Sequence, residues 1–241
     1  MEVNWNLLQY DIMIKKIIRA VIGTKNIGKI KNFLNRKERQ QAEKKEIEFR
    51  KNFYKQFVSE NSLCFDVGAN IGNRVSPLLA LGAKVVAVEP QEDCYKHLER
   101  KFGNKIQIVT DGLGAEEGEQ DFYKSNTTTI SSFSKEWIDA VKEERFKEYE
   151  WGQPVKMKIT TLDNLINKFG VPQFIKIDVE GYELEVLKGL SKKINYISLE
   201  YTVPELTDNL IACINKLAVI NNDVKFNYSI SRTILAVIDD A

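Results

Sequence analysis

Phe65 to Gly72 reads FDVGANIG, and the reading of the whole chain turns on it. Leu63 to Val67 is a short apolar run that an acidic residue, Asp66, interrupts near its end. Glycines follow at 68 and 72, where the chain can turn sharply and let a ligand approach the backbone N–H groups and the next helix. A strand, a glycine turn and a helix in this order make a nucleotide-like ligand the first hypothesis.

Working outward, short β-rich runs alternate with helical stretches. Strands are expected at Leu63–Val67, Lys84–Val88, Ile106–Val109, Phe174–Asp178 and Tyr196–Glu200, each continuously apolar, as in strands buried on both faces. Helices are expected near Asn73–Leu81, Asp93–Lys101 and Tyr182–Leu190, the last with Leu184, Leu187 and Leu190 on one face. This is the pattern of an α/β fold with a parallel sheet and crossover helices. Two regions interrupt it: an added strand near Gln120–Lys124, and a polar, aromatic-rich insertion, Ser125–Gly152, of the kind that forms a lid or a substrate surface. Lys225–Asp239 reads as two strands around a tight turn at Ser231 and Arg232, closing the sheet with an antiparallel hairpin.

The 241 residues, 43% hydrophobic, suit one substantial domain with an appendage. The boundary is placed at 57/58, with residues 1–57 as an N-terminal helical extension. There the pattern from Trp5 to Phe57 suggests two or three helices, broken at Gly23 and Gly28. Residues 1–57 carry 14 Lys+Arg against 6 Asp+Glu, and the remainder 21 against 28, under a formal net charge of only +1. A basic leader fits weak membrane-surface association through its first amphipathic helix, or simply a cap on the main domain. The cysteines, Cys64, Cys94 and Cys213, have neither the count nor the spacing of a disulfide framework or zinc site. With no long apolar run and no secretion signal at Met1–Leu8, a cytoplasmic protein is expected.

In open α/β sheets, ligands sit beyond the carboxyl ends of the strands, and the polar motifs fall there. Glu89 ends the second strand about 20 residues after the glycine turn, where a carboxylate can accept both hydroxyls of a ribose. A dinucleotide site also matches this layout, but Asp66 beside the loop disfavours a pyrophosphate and suits a cationic ligand portion. In FIKIDVEGYELEVLKG, Phe174–Gly189, a strand delivers Asp178 and Glu180, and Glu200 ends the next strand in ISLEY. Carboxylates gathered at one sheet edge must bind a cation, share a proton or face solvent. One of Asp178 and Glu180 could instead cap the following helix.

FDVGANIG, Val88–Pro90 (VEP), Thr160–Leu165 (TTLDNL) and KIDVEGYELEVLKG together resemble the FkbM family of S-adenosylmethionine-dependent methyltransferases, over roughly Leu63–Glu200. The resemblance implies a class I methyltransferase (Rossmann-like) fold, with a seven-stranded mostly parallel sheet and helices on both faces. It implies O-methylation of a hydroxyl on a sugar, glycolipid, polysaccharide or natural product. Carried across by position, Asp66, Gly68, Ala69, Asn70 and Gly72 would cradle the methionine part of the cofactor, Glu89 with Pro90 the ribose, and Leu113 in the turn Asp111–Gly114 the adenine.

On this reading Asp178 orients or deprotonates the acceptor hydroxyl, assisted by Glu200, with Glu180 a site member or a helix cap. No metal ligand is assigned, although the carboxylates also suit a bound divalent cation. Two rival readings stay open: an RNA or protein methyltransferase using the basic leader, and a non-catalytic cofactor-binding module. The proline-rich Asn or Asp motif of amino-group methyltransferases is absent, and no specific nucleic-acid partner is expected. His97 and the pair Ser131–Ser132 are weaker candidates, the first placed on a surface helix and the second in a loop.

Overall fold

The computed structural model describes residues 24–229 and 233–237. The helix read between Trp5 and Ile22 and the turn at Ser231 and Arg232 lie outside them. The chain divides into two compact units, Met1–Phe49 and Arg50–Ala241. Among the described residues of the first, one helix, Thr24–Tyr54, begins and runs on past the boundary. It passes through Gly28 unbroken, contrary to the expected interruption. One helical glycine costs only about 1 kcal/mol relative to alanine, and the 31-residue helix holds many strong helix formers.

In the second unit, strands β1 (Leu63–Val67), β2 (Lys84–Val88), β3 (Ile106–Val109), β7 (Phe174–Ile177) and β8 (Tyr196–Leu199) pair in parallel. Strands β9 (Lys225–Ser229) and β10 (Thr233–Val237) complete a seven-stranded sheet in the order β3-β2-β1-β7-β8-β10-β9. β10 runs antiparallel to both its neighbours, so the hairpin closes the sheet as expected.

Side chains alternate between two cores. Phe65, Val67, Val86, Val88, Ile175, Ile177, Ile197 and Leu199 face one core, built with the helices Leu162–Phe169, Glu183–Lys188 and Thr207–Ile220. Cys64, Val85, Ala87 and Phe174 face the other, built with Tyr54, Phe57 and the helices Val75–Ala80 and Glu92–Phe102. The two-residue period and the continuous apolar runs are thus one fact: both faces are covered. β3 is the exception, since Gln107 is exposed and Ile108 and Val109 only partly buried. As an edge strand it pairs, among the described residues, with β2 alone.

Three further strands form a second sheet in the order β4-β6-β5, namely β4 (Gly112–Leu113), β5 (Gly118–Phe122) and β6 (Val155–Thr160). The turn expected at Asp111–Gly114 is therefore partly strand, and the added strand starts two residues earlier than Gln120.

The Ser125–Gly152 insertion is built around its own apolar cluster of Ile130, Trp137, Ile138 and Val141 with Leu206. Its helix, Lys135–Val141, is N-capped by Ser134, whose Oγ accepts from the Trp137 amide at 3.0 Å. Trp137 Nε1 donates to Thr202 Oγ1 at 2.9 Å, and Arg145 donates to both carboxylate oxygens of Glu205. Four aromatic and aliphatic anchors thus give a polar-looking segment a fixed place over the sheet edge.

Candidate active site

The carboxyl ends of β1, β2, β7 and β8 open on a cavity of about 250 Å³. Of the residues expected around a cofactor, Gly68, Ala69, Asn70, Glu89, Pro90 and Leu113 line it. Asp178, Glu180 and Glu200, expected to do chemistry, line the same cavity. Two expected cofactor residues do not. Gly72 has φ +82° and sits against the rings and methyls of Phe102 and Leu98, where a Cβ would collide with both. Its smallness serves the packing of the Glu92–Phe102 helix on the glycine turn.

Asp66 is completely buried and also stays off the cavity wall. Its position follows from register. On β1 it lies beside Lys176 of β7, which in turn pairs with Ser198 of β8, all on the face that carries Cys64 and Phe174. Neither Asp66 oxygen has a hydrogen-bond partner among the described residues. Burial pushes its carboxyl up to about 6, against the pull of Lys176. Asp66 therefore belongs to a buried polar row beneath the cavity, and the acids facing the cavity are others.

Glu89 ties the glycine turn to the end of β2. Its Oε2 accepts from the Asn70 amide and its Oε1 from the Gln91 amide, each at 2.8 Å. Asn70 has φ +47°, and its Nδ2, like Gln91 Nε2, donates to the Thr128 carbonyl at 3.0 Å. Thr128 comes from the insertion, so the insertion is joined to the turn directly above Glu89. The Gln91 side chain also hydrogen-bonds the Glu89 carboxylate, which with its two oxygens still has acceptor capacity beyond these three donors. Burial pushes this carboxyl up to about 7, partly offset by the two amides.

Gly68 has φ +79°, and any Cβ there would overlap the carbonyl oxygen of Asp178. The glycine is what lets the β1 turn pack against the β7 end. Gly68→Ala is expected to lower stability by about 3 kcal/mol or more, through left-handed strain plus displacement of Asp178. Urea unfolding measures this directly, and an unchanged midpoint would contradict the packing described.

Asp178 is held by Lys176, a lysine buried one residue pair below on the same strand face. Burial disfavours the ammonium, but Asp178, Asp66 and Glu200 outweigh it and raise its pKa, so it stays charged. Glu200 is pushed up to about 8, first by burial and then by Asp178, with which it shares a hydrogen bond. Two carboxyls that share a hydrogen bond share a proton. The pair as a whole therefore holds a proton above the usual carboxylate range, and Lys176 supplies the opposite charge beside Asp178. Glu180 adopts φ +53°, accepts from Ser132 Oγ through its carbonyl at 2.7 Å, and has its carboxyl raised by burial and by Asp178.

The cap expected of Asp178 or Glu180 is not made, since the helix Glu183–Lys188 has no side-chain cap; what braces the turn before the helix is Glu183. Its Oε1 accepts from the Val179 and Gly181 amides at 3.1 and 3.2 Å. Asp178 and Glu180 line the cavity instead. Ser131 lines the cavity and Ser132 is buried, so neither is a solvated loop residue. His97 is partly exposed on the Glu92–Phe102 helix, away from the cavity. Lys176, Gln91 and the Thr128 carbonyl have no counterpart in the sequence reading. For Lys176 the signal was present: a charged residue inside the apolar run FIKI has to find a buried partner.

The raised carboxyls set the sign of a pH effect. Asp66, Glu89, Glu183 and Glu200 have folded-state values of about 6, 7, 7 and 8, all above the usual carboxylate range. The folded state therefore binds more protons than the unfolded state between about pH 4.5 and 8, and stability falls as pH rises through that window. Thermal melts of the ligand-free protein are expected to show a higher Tm at pH 5.5 than at pH 8. A Tm that rises over this range would contradict the burial of these acids.

A cavity with this acid cluster, a ribose-competent Glu89 and an apolar wall at Leu113 fits a ligand with a positive centre, a ribose and an aromatic base. Among the described residues, no group of three or more His, Cys, Asp and Glu is arranged to hold a metal ion. No helix among them is long and apolar enough to cross a membrane.

Residues 66–218 match the methyltransferase FkbM domain, so the chain belongs to the FkbM family of S-adenosylmethionine-dependent methyltransferases. It is 28% identical over 154 residues to the hexuronic acid methyltransferase AglP of Haloferax volcanii, an alignment covering 59% of this chain and 57% of that one. The chain thus spans little more than half the length of this relative. Among solved structures, precorrin-6y C5,15-methyltransferase from Geobacter metallireducens aligns with TM-score 0.45 and 10% identity, covering 79% of this chain and 88% of that one. Fibrillarin from Aeropyrum pernix aligns with TM-score 0.42 and 10% identity, covering 75% and 68%.

Proposed function

We propose that the chain transfers the methyl group of S-adenosylmethionine to a hydroxyl oxygen of a sugar or a sugar-bearing molecule. One observation carries this reading: the paired carboxyls Asp178 and Glu200, with Lys176 behind Asp178, stand in the same cavity as Glu89 and the glycine turn. The relative named as a hexuronic acid methyltransferase points in the same direction. The cofactor supplies a methyl group made electrophilic by its sulfonium.

The protein's part is orientation and proton handling. Gly68, Ala69 and Asn70 would take the methionine part, Glu89 and Pro90 the ribose, and Leu113 the adenine. Asp178, ionised and fixed by Lys176, accepts the hydroxyl proton of the acceptor as its oxygen approaches the methyl carbon. Glu200 keeps its own proton and holds Asp178 in place by the shared hydrogen bond. A positioned base of this kind contributes about 10²–10⁴-fold, and alignment of the two reactants contributes further. Carboxyls held above their usual range also gain from a cationic ligand, so cofactor affinity is expected to rise between pH 6 and 8.

The test is methyl transfer from labelled S-adenosylmethionine to a panel of neutral and acidic sugar glycosides, total RNA and total protein. Label in a glycoside with equivalent S-adenosylhomocysteine is the expected result. Label confined to RNA or protein would replace the acceptor class, and no S-adenosylhomocysteine with any acceptor would remove the catalytic reading.

A further inference from the structure

Three cationic side chains line the cavity, Arg50, Arg74 and Lys176. Lys176 is committed to Asp178, and Arg50 stands close enough to Asp66 and Tyr54 to act on both. Arg74 differs. It is partly buried, yet among the described residues its guanidinium makes no hydrogen bond and no ion pair. It is also not among the principal causes of the shifts at Asp66, Glu89, Glu180 or Glu200, whereas Lys176 acts on three of these four.

A guanidinium offers five donors in a planar fork that matches a carboxylate in bidentate fashion. Held at a cavity wall without a partner, it loses hydration and gains nothing in return unless a ligand supplies the anion. Of the acids in the same cavity, Asp178 is engaged with Lys176 and Glu200, and Glu89 with two backbone amides, while the Glu180 carboxyl is not within hydrogen-bond or ion-pair distance of Arg74.

We propose that Arg74 is the binding residue for a carboxylate of the ligand that occupies this cavity. The inference rests on reading the cavity as the methyltransfer site. Two sources present that chemistry there: the α-carboxylate of the cofactor's methionine part, and the carboxylate of an acidic sugar acceptor. In the first case Arg74 is a cofactor-affinity residue. In the second it sets specificity for acidic over neutral acceptors.

Calorimetry on the wild type and on Arg74→Ala with two matched pairs of probes separates these. The first pair is S-adenosylhomocysteine and its decarboxylated analogue; the second is methyl glucuronide and methyl glucoside, titrated into protein saturated with S-adenosylhomocysteine. Removal of one charge-assisted, bidentate contact is expected to weaken the carboxylated member of a pair by about 10- to 100-fold. Its neutral partner should be unaffected, which also shows that the variant is folded. Selective loss in the first pair assigns the cofactor carboxylate, and selective loss in the second assigns the acceptor. The proposal is overturned if the preference for the carboxylated member is the same in wild type and Arg74→Ala for both pairs. Failure of the wild type to bind S-adenosylhomocysteine at all would remove the reading of the cavity itself, and the proposal with it.

Discussion

Asp178→Asn is expected to cut methyl-transfer turnover by about 10²–10⁴-fold, the contribution of a positioned base. Affinity for S-adenosylhomocysteine should stay within about twofold, because the substitution keeps the side chain's shape and its acceptor oxygen toward Lys176. The separation follows from where the charges lie. Glu200 shares a hydrogen bond with Asp178, and Lys176 keeps the opposite charge one residue pair below. Removing the carboxylate leaves Lys176 to the buried Asp66, so the sheet end loses little, while the acceptor hydroxyl loses its proton acceptor. Steady-state kinetics and calorimetry on the same preparation decide the point. Full turnover would exclude Asp178 as the base, and a parallel collapse of cofactor affinity would make it a binding residue instead.

Glu89→Ala is expected to weaken cofactor binding by about 100-fold or more, since each charge-assisted hydrogen bond lost contributes on the order of 1.5–3 kcal/mol. Two effects add. The ribose loses its acceptor, and the amides of Asn70 and Gln91 lose the oxygens that fix the glycine turn. Glu89→Gln distinguishes them, because the amide keeps one oxygen for one backbone N–H but places a donor against the other. An intermediate loss is expected from it. Unchanged affinity in Glu89→Ala would show that the cofactor does not reach the β2 end.

The sheet was legible because five of its strands are short, mostly apolar runs, interrupted only by single uncharged residues, Gln107 and Ser198, and by two charged ones, Asp66 and Lys176. Both of those turned out to be buried partners in a cross-strand row. The hairpin at Lys225–Val237 was legible for a similar reason, as two runs set a few residues apart. Of the second sheet, only the added strand β5 was read. In Val155–Thr160 the strand is mostly exposed and rich in lysine, so its two-residue alternation is weak and it reads as a lead-in to the next helix.

At the site, the residues that follow strand ends were found because topology sends every such end to one edge. That none of Asp178, Glu180 and Glu183 caps the Glu183–Lys188 helix was not, because all three stand within reach of its first turn in sequence. Only the left-handed turn at Glu180 and Gly181 shows that Glu183 folds back onto the Val179 and Gly181 amides. The roles of Gly68 and Gly72 were likewise alike in sequence. One abuts Asp178 and the other abuts Phe102, a difference set by tertiary packing. The contact between the Thr128 carbonyl and Asn70 joins residues 58 positions apart and has no local signature.

The most direct measurement is a crystal structure of the protein with S-adenosylhomocysteine bound. The expected result places the ribose hydroxyls at about 2.7 Å from the Glu89 carboxylate, the adenine along Leu113 and the sulfur facing Asp178. A cofactor bound elsewhere on the sheet, or in this cavity with its sulfur turned away from Asp178 and Glu200, would contradict the assignment of these carboxyls to methyl transfer.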